Sequence, residues 1–76
     1  MKILIIEDDI ATRNILRMGL ENHSYIVDVA EDGAKGSYMA RTNNYNLIIL
    51  DNVLPKKQGS TICKDIRNHG NHVPIL

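Results

Sequence analysis

Four short apolar runs, each separated from the next by a helix-length segment, limit what this chain can fold into. They are Ile3-Leu4-Ile5-Ile6, Tyr25 to Ala30, Leu47 to Leu50 and Val73 to Leu76. The first and third are continuous and rich in isoleucine, as expected of strands buried on both faces. The second alternates, with Tyr25, Val27 and Val29 on one side and Ile26 and Asp28 on the other, which suits an edge strand. The resulting order, βαβαβαβ, predicts an α/β fold: a parallel sheet with right-handed crossovers and helices on both faces.

The segments between the runs carry helix signals. Asp9 is placed to cap a first helix that continues through Leu20, with Ile15, Leu16, Gly19 and Leu20 as its apolar stripe. Glu31-Asp32-Gly33 is a turn signal ahead of a second helix, from about Ala34 to Thr42. Gly36 inside it costs about 1 kcal/mol relative to alanine and weakens the prediction there. A third helix is predicted from Gly59 or Ser60 to between Asn68 and Gly70, with Ile62 and Ile66 on one face.

The 76 residues allow one small domain, and a 43% apolar fraction is that of a folded globule. Nine basic residues balance nine acidic ones, so the overall charge gives no sign of nucleic-acid or membrane binding. Cys63 is the single cysteine, which excludes an internal disulfide and points to a reducing compartment. The run Ile3 to Ile6 ends at Glu7, far too short for a signal segment or a membrane span. The chain reads as cytoplasmic.

Parallel α/β sheets bind ligands outside the carboxyl ends of their strands. Glu7, Asp8 and Asp9 follow the first run directly, and Asp51 follows the third. If those strands are neighbours, the carboxylates converge. Two of them about 4 Å apart repel by roughly 4 kcal/mol at an effective dielectric near 20. Either one holds a proton or a cation sits among them. Hard oxygen donors without nearby cysteine or histidine suit Mg²⁺. Each acid taken singly reads more readily as a solvated turn or loop residue or, for Asp9, a helix N-cap; their joint placement is what points to a site.

Glu7-Asp8 after an apolar strand, Asp51 after L-I-I-L, Pro55 four residues on and Gly59 four beyond that resemble the receiver domain of bacterial response regulators. The resemblance covers the whole chain and implies a doubly wound, flavodoxin-like sheet. The 76 residues would then carry an incomplete receiver, its fifth strand and last helices lying outside them. It implies that Asp51 accepts a phosphoryl group from the histidine of a sensor kinase. It also implies that Mg²⁺ is held by Asp8, Asp51 and the Val53 backbone carbonyl, with Glu7 acting through water. Asp9 matches no ligand position and stays the helix N-cap. The family's hydroxyl residue at the end of the fourth strand and its lysine at the end of the fifth have no counterpart among these residues. DNA would be reached only through an output domain outside them.

Two rivals remain. A hydrolase with an aspartyl-phosphate intermediate often carries a second acid two residues after its nucleophile, where this chain has Val53. An interaction module would instead use the exposed edge of the fourth strand for self-association. Other signals carry little. Cys63, His69 and His72 match no common zinc spacing, Lys56-Lys57 is too short a basic run for nucleic acid, and Gly33 and Gly36 form no dinucleotide fingerprint.

Overall fold

The computed structural model describes residues 1–50, 59–68 and 73–76. Its elements are β1 (Lys2–Ile6), α1 (Ile10–Glu21), β2 (Ile26–Ala30), α2 (Gly33–Thr42), β3 (Leu47–Leu50) and α3 (Gly59–Asn68). The three strands form one parallel sheet in the order β2-β1-β3. β1 is central, as its continuous apolar sequence requires, and β2 is an edge strand, as its alternation predicted.

The fourth run is shorter than a strand. Residues 73–76 join β3 through a single parallel bridge, Ile48 to Ile75. The Ile48 N–H donates to the Pro74 carbonyl, and the Leu76 N–H donates to the Ile48 carbonyl, each at 2.9 Å. Pro74 has no N–H to give, so only its carbonyl takes part.

The strand pleat sends alternate residues to opposite faces. Leu4, Ile6, Ala30, Ile48 and Leu50 pack with Ala40 of α2, Ile66 of α3, Tyr45 and Val73 in one core. Ile3 and Ile5, both fully buried, point to the other side, where α1 packs on β1 and β2. α1 is turned differently from the expected stripe. Ile15 is 70% exposed and Gly19 is exposed, whereas Leu16 and Leu20 are half-buried. The half-buried residues of α1 are instead Arg13, Asn14, Leu16, Arg17 and Leu20.

Gly36 has a packing reason that helix propensity hides. A Cβ at that position would lie 2.5 Å from Cδ1 and 2.7 Å from Cγ1 of Ile6, a fully buried side chain. The missing side chain lets α2 lie close against β1.

Local polar contacts set the helix ends. Asp9 is extended and its carboxylate accepts the Thr12 N–H; Asp32 does the same for the Lys35 N–H at the start of α2. α1 ends with the Tyr25 N–H bonded to the Leu20 carbonyl and the Ser24 N–H to that of Glu21. This is a Schellman closure, and it holds Ser24 at φ 67°, where glycine is the usual occupant.

Candidate functional site

The site is built at the carboxyl end of the sheet. Ile6, the last residue of β1, pairs with Ala30 on one side and Leu50 on the other. Three strand ends therefore finish level, and the chain continues from them into Glu7, Glu31 and Asp51. The Glu7 N–H donates to the Ala30 carbonyl at 3.0 Å, which extends the β1–β2 ladder by one bond. Glu7 is thereby held at the sheet and is only 6% exposed.

The next two acids have different surroundings. Asp8 is exposed and makes no hydrogen bond or ion pair among the described residues. Asp9 is fully engaged as the cap of α1: its carboxylate accepts from both the backbone N–H and the hydroxyl of Thr12. Those two bonds, with the nearby Arg13 charge, hold its carboxyl below the usual carboxylate range. Asp9 is thus the N-cap expected from sequence, and its Oδ2 takes both bonds from Thr12.

Arg13 was not legible as part of this end of the molecule. Its guanidinium Nη1 donates to the Glu7 backbone carbonyl at 3.1 Å. Its own N–H closes the first turn of α1 on the Asp9 carbonyl at 2.9 Å. The signal in the sequence is only a long cation in the first turn of the helix that follows the acids.

A cavity of about 190 Å³ lies below the acids on the α1 side, lined by Ile5, Ile6, Glu7, Thr12, Leu16, Ile49 and Leu50. Its wall is apolar except for Glu7 and Thr12. It opens from the same strand ends that carry Glu7 and precede Asp51.

Of the four residues expected at the metal site, Glu7 and Asp8 lie together after β1. Asp51 and Val53 fall outside the described residues. No group of three or more acidic, histidine or cysteine side chains gathers among the described residues. The donor set that is described consists of carboxylate oxygens, one buried and one exposed without a partner, and this fits a hard divalent cation. Burying a carboxylate is costly unless hydrogen bonds or a cation offset it, and this applies to Glu7, which is 6% exposed.

A parallel sheet with helices on both faces and acids directly after its central strand is a doubly wound α/β architecture, and comparison with known proteins says which family of that architecture this is. Residues 3–76 match the model of the response regulator receiver domain family, and the chain belongs to that family. It is 47% identical over 76 residues to Protein RcaC of Microchaete diplosiphon, covering all of this chain and 12% of that protein. It is 43% identical to the probable transcriptional regulatory protein SilR of Salmonella typhimurium, covering all of this chain and 33% of that one. The chain therefore spans a third or less of these two relatives. The crystal structure of a two-component response regulator from Clostridium difficile superposes with a TM-score of 0.92 at 35% identity, covering 99% of this chain and 61% of the other. No described helix is long and apolar enough to cross a membrane.

Proposed function

We propose that this receiver domain takes a phosphoryl group on Asp51 from the phosphohistidine of a sensor kinase, in the cytoplasm. The observation that carries the reading is the state of Asp8: an exposed carboxylate without a partner, directly after buried Glu7. It sits at the strand end that pairs with Leu50, the residue before Asp51. In the transfer, a phosphorus–nitrogen bond on the donor breaks as a phosphorus–oxygen bond to a carboxylate oxygen of Asp51 forms. The histidine nitrogen leaves with the electron pair.

Mg²⁺ would be held by Asp8, Asp51 and the Val53 carbonyl, with Glu7 acting through water. When bound, the ion supplies positive charge that offsets the carboxylates and the phosphoryl oxygens. The chain's own contribution is position: the β1–β3 pairing brings the two strand ends together, and the Glu7–Ala30 bond fixes the first acid. The domain acts as a switch that is modified rather than as an enzyme that turns over many substrates. The transcriptional name of SilR supports an output on transcription, reached through a DNA-binding domain outside these residues.

The test is incubation with a small-molecule phosphodonor, with and without Mg²⁺, followed by mass spectrometry of the intact chain and its peptides. The expected result is one phosphoryl group on the peptide containing Asp51, lost in Asp51→Asn and in the absence of Mg²⁺. Uptake is expected to be slow, because the family's lysine has no counterpart among these residues; modification elsewhere, or equal modification of Asp51→Asn, would overturn the reading.

A second activity has its own observation. Residues 73–76 pair with β3 through a parallel bridge, and self-association by strand pairing is the second activity considered. Sedimentation that does not change with concentration would count against it.

A further inference from the structure

We propose that Arg13 is a positioning residue for the cation site: its guanidinium, bonded to the Glu7 carbonyl, holds the main chain that presents Asp8. The inference rests on the reading of that site given above.

Asp8 sits between two residues whose main chains are fixed. On one side, the Glu7 N–H is bonded to the Ala30 carbonyl and the Glu7 carbonyl accepts from Arg13 Nη1. On the other, the Asp9 carbonyl accepts the Arg13 N–H, and the Asp9 carboxylate caps Thr12. Arg13 thus binds the loop at both ends, through its side chain before Asp8 and through its backbone after it. Only the first of these bonds depends on the identity of the side chain. Asp8 itself has no partner among the described residues that would orient it, so its position is inherited from this frame. The guanidinium suits the task because it stays charged, is planar and reaches from the first turn of α1 back across the loop.

Charge and position make opposite demands, which allows them to be separated. A cation beside the acids repels Mg²⁺, so removing the Arg13 charge would by Coulomb's law alone tighten binding. If Arg13 positions the loop, its removal loosens the frame and weakens binding instead, since partners that orient metal ligands matter nearly as much as the ligands.

The experiment is titration of the metal-free chain with Mg²⁺ alone, followed by amide NMR and calorimetry, for the parent, Arg13→Met, Arg13→Lys and Asp8→Ala. Thermal unfolding of each variant checks that it is folded. Loss of about 10-fold in Mg²⁺ affinity in Arg13→Met is expected, with Arg13→Lys intermediate because it keeps a donor on a different head. Unchanged or tighter binding in both Arg13 variants, with Asp8→Ala still abolishing it, would overturn the positioning role and leave the site intact. Binding in Asp8→Ala equal to that of the parent would overturn the site and the positioning role together. If Arg13→Met does not fold, the lysine variant decides the question by the same criterion.

Discussion

The sheet carries two aspartates that are used in opposite ways, Asp28 in the middle of the edge strand β2 and Asp8 just beyond the carboxyl end of the central strand β1. From mid-strand, Asp28 reaches toward the amino end of the sheet, where it accepts the Tyr45 hydroxyl at 2.7 Å and pairs with Lys2 at 3.7 Å. The Lys2 ammonium also lies 5.1 Å from the centre of the Tyr45 ring. Asn46 completes this end by exchanging two 2.8 Å bonds with the Lys2 backbone, one through its N–H and one through its Oδ1. At the carboxyl end, Asp8 has no such company. Satisfied carboxylates tie loops to strands, whereas an acid left open beside a buried one is available to a ligand. This difference, and not the number of acids, separates the structural cluster from the end proposed to hold the cation.

The largest effect should come from dismantling the amino end. Tyr45 is 8% exposed and belongs to the main core, so Tyr45→Ala should cost about 3–5 kcal/mol. Tyr45→Phe keeps the ring and loses only the bond to Asp28, for about 1 kcal/mol. Urea denaturation of the two variants checks the ratio. A Phe variant as damaged as the Ala variant would mean that the polar network outweighs the packing.

Gly36→Ala comes next and acts toward the carboxyl end, because the new methyl would press on Ile6, the residue before Glu7. Overpacking typically costs about 1–3 kcal/mol, and alanine returns about 1 kcal/mol in helix propensity. A net loss of up to about 2 kcal/mol is expected, readable by thermal unfolding. Gly19→Ala in α1 is the control: nothing lies within 4 Å of its Cβ position, and it should stabilise by up to about 1 kcal/mol.

The paired and open aspartates can be compared directly in metal-free buffer. Asp28→Ala leaves the Tyr45 hydroxyl without its acceptor and should destabilise by about 1–2 kcal/mol. Asp8→Ala removes no contact and should stay within about 0.5 kcal/mol of the parent. Similar losses in the two variants would erase the distinction between the ends.

The smallest expected effect is on the pH dependence of stability, and the two ends respond at opposite extremes. Burial and the neighbouring Asp28 raise the Tyr45 phenol above its ordinary value. Its contribution is thus complete below about pH 10 and is lost as pH rises through the raised value. Asp9 is lowered, so its contribution is present above the ordinary carboxylate range and is lost as pH falls through the lowered value. Denaturation midpoints across pH should flatten at the alkaline side in Tyr45→Phe. At the acid side they should flatten in Asp9→Asn, which retains a capping oxygen that does not titrate.

The pattern of apolar runs made the sheet legible before any coordinates. Leu47 to Leu50 matches β3 residue for residue, and the alternation of Val27 and Asp28 matches their opposite faces. The Asp9 cap was legible because capping is local. Contacts between distant segments were not. Gly36 registered as a weak helix residue because propensity does not include Ile6, thirty positions earlier. Ile15 was expected to be inward, yet it is exposed while Leu16 and Leu20 are half-buried, a choice set by how the helix lies on the sheet. Tyr45 and Asp28 meet across 17 positions with no motif to announce it. At the site, strand order brought Glu7 and Asp8 to the expected end, but the role of Arg13 depended on a fold-back over six positions.

The most direct test of the account is thermal unfolding of the parent, Asp8→Ala and Asp28→Ala with and without Mg²⁺. Saturation at about ten times the dissociation constant should stabilise the parent by about 1.4 kcal/mol. The same gain is expected in Asp28→Ala, and none in Asp8→Ala. An undiminished Mg²⁺ effect in Asp8→Ala, or its loss in Asp28→Ala, would contradict the assignment of the carboxyl end as the functional one.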